Sequence, residues 1–551
     1  MIANKDYIKT KLYDTHKWND SVSVCSAYFN TEEKTFLLDS ECGKTSDVYC
    51  IIRTLTDWEE CVHKCVEMSK CATGWLIAYT DDLAMLTSIF DAIGVRTHKY
   101  CSSGRVKKVE IDLTQIIIIE SEQTILLLDD FSLYHKRNLD EWKRVGYVSF
   151  TAAATVRHRV KKSFENSRWT HDKIARACPA TYNDYCMYRK MLYRGGYCFA
   201  KAGTYGGVDM YDIQSAHIYH MLTEGYPSGT WRECDNPQLE DLERLSSAGY
   251  AVIAYVEFTE LEANSIAVES KGIRCGRCLH DQQRHVEYAE TIKVIINEID
   301  WDIYKNAYTW KSVNLRKLIY TNKNKLPAFI RNVIIEMYDA KRVVKMRGGD
   351  YTEEKRLVNM IYGGCAIRIS CANEDEYKEL LGNIYMNPFW SMWTAAYTRR
   401  QQYDLIHKAE SIGANVVYGD TDSVYMIAHD AIRNEIVNLN NEIELRNKRL
   451  GLPCELGTWE PKHCKAIKVL GAKQYAYVTR DNQTVIKAAG IRRSALCTVT
   501  FKNFGKGLLV KNARRHIENV DGIPKYIFDD IKLGDALKFE ELRYITERML
   551  K

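Results

Sequence analysis

Short apolar runs alternate along the chain with longer amphipathic ones, and each change of period marks a change of element. Over residues 1–190 the runs Thr35 to Leu38, Val48 to Ile52, Thr73 to Ala78, Val109 to Asp112 and Thr124 to Leu128 predict strands, and IIII at Ile116 to Ile119 predicts a buried one. Between them, TDWEECVHKCVEM sets Trp58, Cys61, Val62, Cys65 and Val66 on one face of a helix. This alternation is an α/β pattern. Further on, Gly206 to Leu222 reads as a strand passing into a helix, with Asp212 near the strand's end. Two helices follow, LPAFIRNVIIEMYDAKRVVK and YTEEKRLVNMIYGG, separated by MRGGD, whose glycine pair breaks the pattern. VVYGDTDSVYMI, from Val416 to Ile427, has β-branched and aromatic residues on both sides of a Gly-Asp-Thr-Asp centre, which predicts a hairpin.

These elements place chemistry at definite points. Strand side chains alternate with period two, so Asp420 and Asp422 face one side, and two convergent carboxylates make a site for a hard divalent cation. Asp212, at another strand end, supplies a third ligand. On the first long helix Lys341 and Lys345 lie one turn apart; on the second, Lys355, Asn359 and Tyr362 fall at i, i+4 and i+7 and share a face. An antiparallel pair showing Lys341 and Lys355 to a common gap suits a triphosphate. Lys473 and Tyr475 stand in a strand pattern, and the glycine pair of YRGG, Tyr193 to Gly196, permits close backbone approach. Cys275 and Cys278, followed by His280 and His285, have the residue types of a zinc knuckle.

Composition adds scale and partners. At 551 residues the chain is long enough for three or four compact units. The net charge of +5 requires no polyanionic partner, but the cations cluster. From Lys487 to Arg515 there are eight Lys or Arg and no acid, and VRHRVKK from Val156 to Lys162 has the same character; both suit a phosphate backbone or a solvated face. No apolar run approaches the ~20 residues of a membrane span. The first twenty residues are polar, so the expectation is a cytoplasmic chain, or one in a host cell if viral, with reduced thiols and no membrane partner.

The order of the motifs resembles that of the family B DNA polymerases. DIQSAHI from Asp212, KRLVNMIYG from Lys355, YGDTDS from Tyr418 and KQY from Lys473 stand where that family carries motifs A, B and C and its Lys-x-Tyr motif. YRGG is similar to the Tyr-x-Gly-Gly loop that joins the family's exonuclease and polymerase domains and touches template. The small size, the long segment between motifs A and B, and IKAAGI…TFKNFGKG near the C-terminal end resemble the protein-primed branch of bacteriophages, viruses and linear plasmids. The resemblance runs from about Tyr193 onward and is looser before it.

It implies an α/β (α+β) right-hand fold of palm, fingers and thumb behind a ribonuclease-H-like exonuclease-type domain. The expected divisions are 1–190 exonuclease-like, 191–226 palm, 227–325 an insertion of terminal-protein-region type, 326–364 fingers, 365–388 a second insertion, 389–480 palm, and 481–551 thumb. Asp212, Asp420 and Asp422 are implied as the catalytic carboxylates, holding two Mg²⁺ ions, with Mn²⁺ a substitute. Lys341, Lys355, Asn359, Tyr362 and His217 are implied at the deoxynucleoside triphosphate. Tyr193, Gly195, Gly196, Lys473, Tyr475 and Lys487 are implied on primer-template DNA, with a terminal protein as a further partner. His217 replaces the tyrosine that abuts the sugar, which implies weaker rejection of ribonucleotides; Met360 replaces a common serine. For the exonuclease, Asp39, Glu41, Asp82 and Asp172 complete a set. However, YCIIRTLTDWEEC resembles the third strand and helix of that fold and puts the first strand at SVSVCSAYFN, which has no acid. Ala78 and Arg168 replace the asparagine and tyrosine expected nearby, so the expectation leans to a degenerate domain that binds single strands or a priming partner. A polymerase with relaxed sugar selectivity and an inactive DNA-binding scaffold are the alternative readings.

Overall fold

The computed structural model describes residues 22–534, apart from 40–47, 72–74, 103–104, 113, 115, 122–134, 141–151, 265–266, 269–273, 276, 281–284, 350, 367 and 522. The expected Thr124–Leu128 strand and Glu41 lie outside the described residues, as do the side chains of Asp39 and Cys275. The chain divides into a smaller unit, the described residues up to 159 together with 511–530, and a larger one, 160–510 with a short return beginning at 531.

The smaller unit is built on a seven-stranded sheet in the order Val48–Ile51, Thr35–Asp39, Val22–Asn30, Trp75–Thr80, Ile116–Glu120, Arg105–Ile111, Thr97–Ser102. Trp75–Thr80 runs parallel to both of its neighbours, while the outer pairs are antiparallel. Ile116 to Ile119 are all buried, as expected of an inner strand covered on both faces. The Leu55–Cys71 helix buries Trp58, Cys61, Val62, Cys65 and Met68 in the sheet's core, so its predicted stripe is found, with Val66 at the edge. The Leu83–Ala92 helix adds Leu86, Ile89 and Phe90 to the same core.

In the larger unit an antiparallel sheet follows the order Thr484–Ala488, Gln474–Thr479, Trp459–Gly471, Gly203–Ile213, Ser423–Ile427, Asn415–Asp420, Cys198–Ala200. Alternation divides its faces: Val208, Met210, Tyr425 and Ile467 belong to one core, and Tyr211, Ile213, Val424 and Met426 to another. That second core takes in Leu405, Ile406 and Ala409 of the Pro388–Ser411 helix and Ile432 and Ile436 of the Asp430–Leu450 helix. The expected 227–325 insertion forms a second sheet around Ala251–Ala263, Val286–Asn297 and Ser312–Thr321, with the Glu298–Ala307 helix. Its Val256, Phe258 and Trp301 join the same core, so this segment shares its interior with the sheet that carries Asp212. The two long helices form at Ala328–Met346 and Thr352–Cys365 and pack on one another, with Gly348 at φ +71° in the break between them. Within the 481–551 segment, Thr484–Ala488 is the edge strand of the sheet that carries Asp212, and 511–530 belongs to the smaller unit. Among the described residues no helix is long and apolar enough to cross a membrane.

Candidate active site

Sheet register gathers the carboxylates. Asp212 lies between Ser423 on one side and Glu460 on the other, and Ser423 faces Asp420 across the hairpin. Asp422 falls in the two-residue loop beyond the strand end, with Thr421 beside it at φ +60°. The period-two argument for the pair therefore does not apply: the left-handed Thr421 brings the two acids round, and the Asp422 N–H donates to the Asp420 carbonyl at 2.7 Å. The Asp422 carbonyl then accepts from the Ile213 N–H at 2.8 Å, which ties the turn to the strand that carries Asp212.

Lysines face these acids. Lys462 Nζ lies 3.5 Å from Asp212 and 3.2 Å from Glu460, and Lys473 Nζ lies 3.2 Å from Asp420. Burial raises the pKa of Asp212, opposed by Lys462 and by Lys355. Asp422 is pushed up to about 7 by burial and by the charges of Asp212 and Asp420. A hard divalent cation fits this donor set: all oxygen, crowded with like charge, and short of counter-charge at Asp422. Among the described residues no three His, Cys, Asp or Glu side chains stand together as a metal site, and Lys462 and Lys473 hold oxygens that ions would need.

The Ala328–Met346, Thr352–Cys365 and Ala216–Thr223 helices pack together. Lys341 Nζ donates to Ser215 Oγ at 2.9 Å, and its pKa is pushed down to about 8 by burial and by Lys355 and Lys345. The lysines thus share one field, as their spacing suggests. The His217 ring stacks on Tyr362 at 4.1 Å and 11°, and the Tyr362 hydroxyl is 3.2 Å from that of Tyr193. Burial lowers the His217 pKa to about 4, so the imidazole is neutral near pH 7. Asn359 and Lys355 are exposed on the same helix.

The residues expected on DNA have structural partners. Gly196 lies against the Asp420–Asp422 turn: a Cβ there would stand 2.6 Å from the Thr421 Cβ, and the Tyr197 carbonyl accepts the Thr421 N–H at 2.7 Å. Arg399 donates to the Arg194 and Gly195 carbonyls at 2.7 and 3.2 Å and pairs with buried Asp300 at 2.8 Å, which fixes the YRGG segment from beneath. Tyr193 is buried, with the Arg189 guanidinium 4.9 Å from its ring centre. Lys473 sits in a turn at φ +60°, not in a strand, because the chain reverses there between Gly471 and Gln474. Tyr475 is buried, its hydroxyl 3.1 Å from that of Tyr425 and its ring 4.6 Å from Tyr418. Lys487 pairs with it in register on the edge strand and is exposed.

Ser215, Thr421 and Lys473 are three non-glycine residues in the left-handed region, and all three border the carboxylates or their lysines. Each costs on the order of 1 kcal/mol, a cost found preferentially at functional sites. Sequence reading missed Ser215, Thr421, Glu460 and Lys462; the charged WEPK run in a strand pattern is the signal for the last two. Of the zinc residue types, Cys278 and His280 meet at 2.8 Å, while His285 is buried with its ring 5.0 Å from that of Tyr197.

No protein-family model and no curated protein matches the sequence. Solved structures do match. Phi29 DNA polymerase complexed with primer-template DNA aligns with TM-score 0.64 at 14% identity, covering 91% of this chain and 96% of that one. The same polymerase with primer-template DNA and incoming nucleotide substrates gives 0.63 at 14%, covering 92% and 98%. Its complex with single-stranded DNA gives 0.64 at 14%, covering 91% and 96%. Over nine-tenths of its length this chain is folded like Phi29 DNA polymerase, with the palm, fingers and thumb architecture expected from its motifs.

Proposed function

We propose that the protein is a template-directed DNA polymerase that adds deoxynucleotides to a primer 3′ end. The observation that carries this reading is the register placing Asp212 beside the Asp420-Thr421-Asp422 turn, with Lys355 acting on Asp212 and Asp422. Asp212, Asp420 and Asp422 would hold two Mg²⁺ ions, or Mn²⁺ in their place, a pair that when bound supplies a more acidic 3′-hydroxyl and charge neutralisation at the phosphates. Lys341 and Lys355 neutralise the triphosphate as point charges. The His217–Tyr362 stack, held by Tyr193, walls the sugar and the nascent base pair. Lys473 and the exposed Lys487 follow the primer strand by phosphate contacts, which carry no sequence information. For the setting we propose protein-primed replication of a viral or plasmid genome, supported by the long 227–325 segment between the Asp212 strand and the Lys355 helix.

The test is extension of a labelled primer on a short template with Mg²⁺, using deoxynucleotides and, separately, ribonucleotides. Templated addition is expected in the deoxynucleotide lane and is lost in Asp420→Ala. Because a neutral imidazole replaces a larger phenol at the sugar, ribonucleotides are also expected to be used, and His217→Tyr is expected to suppress them by about tenfold or more. Undiminished ribonucleotide rejection by the unaltered protein removes the assignment of His217. No extension with duplex still bound would leave the scaffold or an enzyme that starts only from its own protein primer.

Lys341 adds a pH signature. Its folded pKa of about 8 lies below the ordinary lysine value, so the group loses its proton as pH rises through 8. Triphosphate affinity is expected to fall between pH 7.5 and 9.5, by about tenfold for one charge-assisted hydrogen bond. Lys341→Arg, charged throughout, is expected to flatten the profile; a slope unchanged in that variant would exclude Lys341 as its source.

A further inference from the structure

One acidic cluster is unused by the polymerase reading: Asp81 and Asp82, at the end of the Trp75–Thr80 strand in the smaller unit. Asp82 belongs to the set marked above for a nuclease centre. Asp81 accepts from the Thr31 N–H at 2.6 Å, the Thr31 hydroxyl at 2.9 Å and the Glu32 N–H at 3.1 Å, which makes it the cap of a backbone turn. Asp82 caps the Leu83–Ala92 helix through the Met85 N–H at 3.0 Å. Its other oxygen accepts from Arg515 Nη2 and from the Tyr526 hydroxyl, each at 3.2 Å.

Arg515 and Tyr526 come from the other end of the chain. They stand on the two strands of the C-terminal hairpin, Leu509–Val520 and Ile523–Lys532, whose residues 511–530 belong to this same unit. The Arg515 guanidinium lies 4.1 Å from the Tyr526 ring centre and pairs with Glu32 at 3.1 Å through its other nitrogen. The Tyr526 hydroxyl is also 2.9 Å from that of Thr31, and Tyr526 and Ile517 pack against the core of the sheet. Arg515 and Asp82 are only 23% and 18% exposed, so this pairing is shielded from solvent more than a surface ion pair is.

A divalent cation at Asp82 would have to displace a guanidinium and break a helix cap. Of the two strands that flank Trp75–Thr80, Val22–Asn30 carries no acid, and Ile116–Glu120 carries one, Glu120, in register with Thr80. We infer that Asp82 serves no nuclease centre and that the Asp82–Arg515–Tyr526 cluster is a latch fastening the C-terminal hairpin to the N-terminal sheet. The acids of the strand end serve as its seat.

Two measurements on the full chain test this. In hydrogen exchange, the hairpin amides of 511–530 are expected to exchange about tenfold faster or more in Arg515→Gln and in Asp82→Asn. The double variant is expected to be no faster than the worse single one, because both remove the same pairing. Glu32→Gln, which removes the charge paired with Arg515 on the outer side, is expected to give a smaller increase and covers the case in which the other variants fold poorly. In the second measurement, 3′-end shortening of a labelled single strand with Mg²⁺ or Mn²⁺ is expected to be the same in Asp82→Asn as in the unaltered protein. Hairpin exchange unchanged in all three variants overturns the latch, and shortening that Asp82→Asn abolishes overturns the exclusion of Asp82 from a nuclease centre.

Discussion

Asp422→Asn is expected to lower templated primer extension by about a thousandfold or more and, at the same time, to raise thermal stability. The first effect follows from the place of the carboxylate. It sits at the turn between Asp420 and the strand of Asp212, and losing its charge removes an anionic ligand from the proposed cation site. Charge stabilisation of several kcal/mol in the transition state is at stake, and each ~1.4 kcal/mol is a factor of ten in rate. The second effect has the opposite sign. Burial and the charges of Asp212 and Asp420 hold the folded pKa of Asp422 near 7, above its ordinary value. An acid with a raised folded pKa destabilises the fold as pH rises from about 4 toward 7, where the folded state keeps a proton that the unfolded chain releases. Asparagine removes that repulsion. The melting temperature at pH 7.5 is expected to rise by a few degrees, at roughly 2–4 °C per kcal/mol relieved. A variant that is inactive and less stable would show that Asp422 is held by contacts other than charge.

Gly196→Ala is expected to reduce turnover by about a hundredfold with little change in DNA affinity. The added Cβ would meet Thr421 at 2.6 Å from its Cβ, and a β-branched side chain on a left-handed backbone has no free rotamer to yield. The turn must move instead, taking Asp420 and Asp422 with it. A displacement of ~1 Å at reacting groups costs about a hundredfold. Adding Thr421→Gly removes the obstructing side chain and suits the positive φ, so the double variant is expected to recover at least tenfold over Gly196→Ala. If Gly196 served DNA by direct contact, affinity would fall instead of turnover, and Thr421→Gly would restore nothing.

The motif residues were legible because their signals are local. Asp212 at a strand end, the Gly-Asp-Thr-Asp hairpin, and Lys355, Asn359 and Tyr362 on one helix face all follow from period and turn chemistry, and the structure places each in such an element. Local reasoning failed where a turn replaced a strand. Asp422 and Lys473 each adjoin or adopt a left-handed backbone at a reversal, and period-two alternation says nothing about a side chain there. It also misjudged basic residues whose partners are far away: Arg515 reads as one of eight cations for phosphate, yet it is engaged by Asp82 and Glu32, more than four hundred positions earlier.

By itself the sequence determined the kinds of element, their order and the residues that carry acid, base and ring chemistry, since 3.6- and 2-residue periods are properties of the backbone. Only the tertiary structure decided which of them meet. The register that sets Asp212 between Ser423 and Glu460 depends on strand pairing between segments some two hundred residues apart. The fit of Gly196 against Thr421, the His217–Tyr362–Tyr193 stack, and the hold of Lys462 and Lys473 on the carboxylates are contacts of the same long-range kind. No local period encodes them; they arise when sheets and helices bury their apolar faces together, and that packing fixes distances no single segment contains.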